Sequence, residues 1–135
     1  MSESAQHQQL VNQILQETIH AVGLSNSCFI MSDAIDGRAL PPLTEEGFRP
    51  DVYYQYADKL IIGEAKISND VDRIHSKRQY ESYIRKCALF CGTAILFVAV
   101  PWTEHATVHN TLRKIKAKYP GDYEIRILDG IGGAI

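Results

Sequence analysis

Three residues in the middle of the chain have types and spacing suited to phosphate chemistry: Asp51, Glu64 and Lys66. In Gly63-Glu64-Ala65-Lys66, side chains of an extended backbone alternate, so Glu64 and Lys66 share one face of a strand. Their neighbours are apolar: Leu60, Ile61 and Ile62 precede them and Ile67 follows. A carboxylate and an ammonium in such a strand are costly to bury without partners, and a divalent cation with a phosphate would supply them. Asp51 opens the preceding apolar segment, and a hairpin would set it beside Glu64. Two carboxylates at the ~5 Å cross-strand spacing form a hard-oxygen site suited to Mg2+.

The elements that must position these residues can be read from periodicity. Leu10, Val11, Ile14, Leu15, Ile19 and Val22 form the apolar stripe of a helix over 6–22, closed by Gly23. Cys28 to Met31 is a short strand candidate, followed by a turn-rich loop over 32–48. Residues 50–56 and 59–67 read as two strands joined by a tight Ala57-Asp58 turn. A second helix is predicted over 70–90, with Asp70 as N-cap and Asp72 in its first turn. Thr93 to Val100 is continuously apolar, as in a strand covered on both faces. A third helix over 103–118 ends at Pro120-Gly121, and Tyr123 to Leu128 alternates as a last strand. The order α-β-β-β-α-β-α-β predicts an α/β domain with a mixed central sheet flanked by helices, a single domain over 1–135.

This arrangement resembles the PD-(D/E)XK nuclease superfamily, which has the restriction-endonuclease-like fold. The resemblance rests on Pro50-Asp51, then Glu64-Ala65-Lys66 after twelve intervening residues, set in the family's order of helix, three strands, helix and strand. It implies that Asp51 and Glu64, with the backbone carbonyl of Ala65, hold Mg2+ or Mn2+, and that Lys66 positions the attacking water. The family often adds a Glu from the first helix, a place taken by Glu17 on the apolar stripe. It also often has a Gln in the second helix, and in one branch Q-x-x-x-Y, matched by Gln79 and Tyr83. That branch includes helicase-associated nucleases, whereas the small size is similar to Holliday-junction resolvases and phage-type nucleases. The implied catalytic set is Asp51, Glu64, Lys66, Glu17 and Gln79, with Glu17 also at the metal. Arg73, Lys77, Arg78, Tyr83, Arg85 and Lys86 are the expected nucleic-acid contacts.

The net charge of -2 hides an asymmetry. Residues 1–70 carry ten acids and four Lys or Arg, and residues 71–135 carry six acids and ten Lys or Arg. An acidic half that holds cations beside a basic half that holds phosphates suits a nuclease. Apolar residues make up 45% and charged residues 22% of the chain, a globular composition. No apolar run nears the ~20 residues of a membrane span, and the polar N-terminus is no secretory signal. The cytoplasm is therefore the expected compartment. Three cysteines are too few and odd in number for a disulfide framework. Cys87-x3-Cys91 and His105-x3-His109 imitate zinc-finger spacing, but the strand between them would hold the pairs some 25 Å apart. Cys87 and Cys91 read instead as small apolar residues on a buried helix face, and His105 and His109 as surface positions.

The expected function is a metal-dependent endonuclease cutting DNA, with branched or recombination intermediates among its expected substrates, and working as a homodimer or higher homo-oligomer if cuts are paired. Two alternatives stay open. One is a sequence-specific restriction or homing endonuclease reading bases with the 32–48 loop. The other is a non-catalytic nuclease-fold module for DNA binding or assembly.

Overall fold

The computed structural model describes residues 5–34, 37–67, 73–129 and 135. Five strands form one mixed sheet in the order β1-β2-β3-β4-β5. They are β1 (Met31–Ser32), β2 (Val52–Tyr56), β3 (Lys59–Ala65), β4 (Thr93–Ala99) and β5 (Tyr123–Leu128). β1, β2 and β3 pair antiparallel, and β3, β4 and β5 pair parallel. The helices are α1 (Ala5–Val22), α2 (Ile74–Leu89) and α3 (His105–Lys116). This is the α/β class and element order expected from periodicity.

Each face of the sheet carries its own core. On one face, Leu10, Val11, Ile14 and Leu15 of α1 pack on Val52, Tyr54, Ile61, Ala65, Ile95, Phe97 and Ala99. On the other, Tyr80, Tyr83, Ile84 and Cys87 of α2 and Val108, Leu112 and Ile115 of α3 pack on Tyr53, Leu60, Ile62, Leu96, Val98, Ile125 and Ile127. β4 is thus buried on both sides, as its unbroken apolar run predicts. In β5 only alternate residues are buried, because α1 does not cover that edge. The parallel connections place α2 and α3 together on one face, as same-handed crossovers require.

Two contacts fix α1 against the sheet. A Cβ on Gly63 would lie 2.3 Å from Cγ2 of Ile14 and 3.2 Å from Cβ of Val52, so the missing side chain lets the helix approach the strand closely. At the other end, Lys59 Nζ donates to the Ala21 carbonyl at 3.0 Å, placing a cation at the negative end of the helix dipole. The β2–β3 hairpin turns through Ala57 at φ 55°.

The structure departs from the sequence reading at several boundaries. Residues Leu24–Phe29 form a 3-10 turn rather than the start of a strand. Asn26 Nδ2 donates to the Val22 carbonyl and Ser27 Oγ to the Leu24 carbonyl, and such local bonds compete with sheet pairing. α3 begins at His105 after a 3-10 turn over Trp102–Glu104. Asp70 and Asp72 lie outside the described residues, and Arg73 stands at the N-cap of α2. The loop ahead of β2 is tied to α2, where Ser82 Oγ bonds Thr44 Oγ1 at 2.7 Å and Arg85 meets Glu46 at 2.7 Å. At the far edge, the Ile135 N–H donates to the Ile125 carbonyl at 3.0 Å and Lys116 Nζ donates to the Ile135 carbonyl at 2.6 Å. Among the described residues no helix is long and apolar enough to cross a membrane.

Candidate active site

The β2–β3 register pairs Val52 with Gly63. That pairing sets Asp51, one residue earlier, level with Glu64 at the C-terminal end of β3. The Asp51 N–H continues the ladder to the Gly63 carbonyl at 3.0 Å. Its carboxylate accepts the Ala65 N–H at 2.8 Å, so the first acid is held against the backbone of the E-x-K segment itself. Its side chain keeps 21% of its surface exposed.

Glu64 and Lys66 both face α2, as alternation predicts. Lys66 Nζ lies 3.3 Å from Oε2 of Glu64, with only 11% and 6% of the two side chains exposed. The Lys66 ammonium also donates to Oε1 of Gln79. Tyr83 donates from its hydroxyl to Oε1 of Glu64 at 2.9 Å, and Gln79 is hydrogen-bonded to the Tyr83 hydroxyl. Gln79 and Tyr83 are one helical turn apart and project to the same side. The E-x-K pair of β3 and the Q-x-x-x-Y pair of α2 therefore close a four-membered polar circuit: Glu64, Lys66, Gln79, Tyr83.

Burial and the negative charge of Asp51 push the Glu64 carboxyl up to about 8, against the opposing pull of Lys66 and of the Tyr83 and Lys66 hydrogen bonds. One ammonium, shared with Gln79, does not offset the burial of the Glu64 carboxyl beside Asp51. This is the electrostatic situation that a bound divalent cation relieves. The donors are hard oxygens, which fit Mg2+ or Mn2+. Among the described residues no group of three or more His, Cys, Asp and Glu side chains is arranged to hold a metal. The fit is therefore to an ion held by two carboxylates, a backbone carbonyl such as that of Ala65, and water, a common habit of Mg2+.

Glu17 is not brought to this cluster. The helix residue beside Asp51 is His7, whose Nε2 lies 3.5 Å from Oδ2 of Asp51. Glu17 is ten residues further along α1, about 15 Å at the helical rise, and has the charge of Arg126 on β5 as a neighbour. α1 runs antiparallel to β3, so its first turns, not its last, reach the end of the strand that carries Glu64. The signal for His7 was available: it precedes Leu10, Val11 and Ile14 by three, four and seven residues, which puts it at the head of the apolar stripe.

The expected nucleic-acid contacts also divide. Tyr83 is fully buried, so its ring has no face for a base, and its hydroxyl serves Glu64 instead. Arg73 and Lys77 are exposed on the first turns of α2, at the site's end of the helix. Arg78 is exposed one residue on and lines a hollow with Glu81 and Tyr119. Arg85 and Lys86 sit roughly 18 Å along the helix from Arg73; Arg85 is paired with Glu46, and Lys86 lies 5.4 Å from the Tyr53 ring centroid. Two surface hollows of about 260 and 420 Å3 flank Glu46 and Arg85 and include none of Asp51, Glu64 or Lys66. The acid–lysine cluster thus lies outside both hollows, at the end of the sheet.

Cys87 is buried among apolar residues, and burial pushes its thiol up to about 12. Cys91 is exposed beyond the end of α2 rather than on a buried face. His105 is more than a surface position, because its Nδ1 is bonded to a carboxylate oxygen of Asp129, whose side chain is fully buried. No protein-family model, curated protein or solved structure matches the chain.

Proposed function

We propose that this protein is a metal-dependent endonuclease of the PD-(D/E)XK kind, hydrolysing phosphodiester bonds of DNA at the end of β3. The carrying observation is the convergence of Asp51, Glu64 and Lys66 with Gln79 and Tyr83 in one circuit. The order of helix, antiparallel strands, crossover helix and parallel strand around it supports a restriction-endonuclease-like core.

Mg2+ or Mn2+, when bound between Asp51 and Glu64, would make an attacking water more acidic and offset charge on the phosphate. Asp51 contributes one carboxylate, held in place by the Ala65 N–H. Glu64 contributes the second, oriented by the Tyr83 hydroxyl. Lys66, steered by Gln79, places positive charge where the phosphate gains negative charge in the transition state. Arg73 and Lys77 are positioned to hold flanking phosphates, which fixes the strand without reading bases. One site per chain cuts one strand, so paired cuts require two copies.

The test is incubation with Mg2+, Mn2+ or EDTA and a panel of single-stranded, blunt duplex, flapped and four-way DNA. The proposal expects cleavage of at least one substrate that depends on the metal and is lost in Lys66→Ala. A non-catalytic binding module would shift the same substrates on a gel without turnover in any metal.

A further inference from the structure

A second group of side chains occupies the same end of the sheet and has no part in the circuit around Glu64. Because β3, β4 and β5 are parallel, their C-terminal ends lie along one edge, with Ala65 level with Ala99 and Ala99 level with Leu128. Three residues beyond Ala99 stands Trp102, 68% exposed on the 3-10 turn that leads into α3. His105 and His109 lie one helical turn apart on α3, and Trp102 precedes His105 by three residues, a spacing that would carry its ring toward the same side of the turn and helix. The His105 and His109 rings are stacked, with centroids 5.8 Å apart. His105 is held by Asp129, the residue after Leu128, and keeps 29% of its side chain exposed. α3 packs on the face toward which Glu64 and Lys66 point.

Single exposed apolar residues are ordinary on a protein surface. Trp102 differs in position and company. At ~4.8 Å between strands, its turn lies one strand over from β3 and the His105–Asp129 pair lies two strands over, about 10 Å across the edge. A buried carboxylate that fixes the plane of a half-exposed imidazole gives the stripe a set orientation. Successive aromatic faces beside a phosphodiester-cutting site suit unpaired bases, because a base inside a duplex has both faces already covered.

We propose that Trp102, His105 and His109 form a stacking platform for unpaired nucleotides of DNA adjoining the cut. This rests on the nuclease reading and narrows it, naming the substrate as DNA with a single-stranded segment beside the scissile phosphate. Asp129 acts as a positioning residue for the His105 ring.

Trp102 is the sole tryptophan of the chain, so its fluorescence reports directly on the platform. The full-length protein is titrated with a thymidine oligonucleotide and with a blunt duplex, in EDTA and again in Ca2+. The proposal expects the single strand to quench the emission and the duplex to leave it nearly unchanged. Trp102→Ala should weaken single-strand binding, followed by anisotropy of a labelled oligonucleotide, roughly 5- to 100-fold, and Trp102→Phe should retain most of it. Circular dichroism confirms that both variants are folded. In Mn2+, Trp102→Ala should lower the ratio of flapped to blunt-duplex cleavage. Equal quenching by both DNAs, quenching by neither, or an unchanged affinity in Trp102→Ala overturns the platform while leaving the nuclease reading intact. Single-strand quenching without metal-dependent cleavage of any substrate overturns the nuclease reading and, with it, the placement of the platform beside a cut, leaving only a single-strand-binding surface.

Discussion

The Tyr83 hydroxyl donates to Oε1 of Glu64 at 2.9 Å, with both side chains enclosed between the sheet and α2. The tyrosine of the Q-x-x-x-Y pattern thereby supports a carboxylate from below and presents no surface to solvent. Gln79, one turn earlier, does the same for Lys66. The second helix thus sets the orientation of both charged groups at the end of β3.

Tyr83→Phe should preserve the fold, since ring packing is unchanged, and should weaken Mn2+ binding about 10- to 100-fold, the usual effect of losing a group that orients a ligand. Isothermal titration of the two proteins with Mn2+ measures this. Gln79→Ala should lower the cleavage rate while leaving Mn2+ affinity closer to wild type, because its partner is the lysine.

Asp51→Asn, Glu64→Gln and Lys66→Ala should each reduce metal-dependent cleavage by roughly 100-fold or more with the melting transition retained. A Lys66→Ala protein that cuts as fast as wild type would falsify the assigned site.

The buried Glu64 carboxyl, pushed up to about 8 chiefly by burial, makes stability depend on pH in a definite direction. Its unfolded value is near 4.5, so between these limits the folded protein holds the proton that the unfolded chain has lost. Stability contributed by the protonated group is therefore full below 4.5 and falls as pH rises toward 8, at a slope of at most about 1.4 kcal/mol per pH unit. Urea unfolding in EDTA should show this decline, and Glu64→Gln should flatten it. Mn2+ favours the ionised carboxylate, so the stabilisation it confers should be larger at the alkaline end of the window.

His7→Ala should impair Mn2+ binding or cleavage, because His7 abuts Asp51. Glu17→Ala should leave both near wild type. The reverse result would return the first-helix role to Glu17.

Gly63→Ala should destabilise the fold by about 1–3 kcal/mol, the range for an overfilled core, since the added methyl would meet Ile14 at 2.3 Å. Pairing it with Ile14→Ala should recover part of the loss if that contact is the cause. Thermal melts of the two single variants and the double variant form the cycle.

Much of this arrangement is legible in the sequence. Strand alternation alone placed Glu64 and Lys66 on one face, the short turn at Ala57 placed Asp51 beside them, and a one-turn spacing paired Gln79 with Tyr83. What periodicity did not reveal is direction. An apolar stripe shows which face of α1 is buried but not which end lies over the acids, and the structure puts His7 rather than Glu17 beside Asp51. The sequence does not show that Tyr83 is buried, because a tyrosine's polar tip looks alike whether it meets water or, as here, a carboxylate. The His105–Asp129 pair joins residues far apart in the chain, and only the parallel register of β4 and β5 brings them together.

The backbone bond from Ile135 to the Ile125 carbonyl has a consequence for self-association. Among the described residues β5 is the outermost strand on its side, and one of its carbonyls is already engaged from within the chain, with Lys116 fastening the engaging residue. On the opposite side β1 offers only two paired residues. Fibril-like growth by strand addition is therefore discouraged at both margins, and copies that assemble would meet through helices and loops, leaving hydrogen-bonded β-structure confined to each subunit.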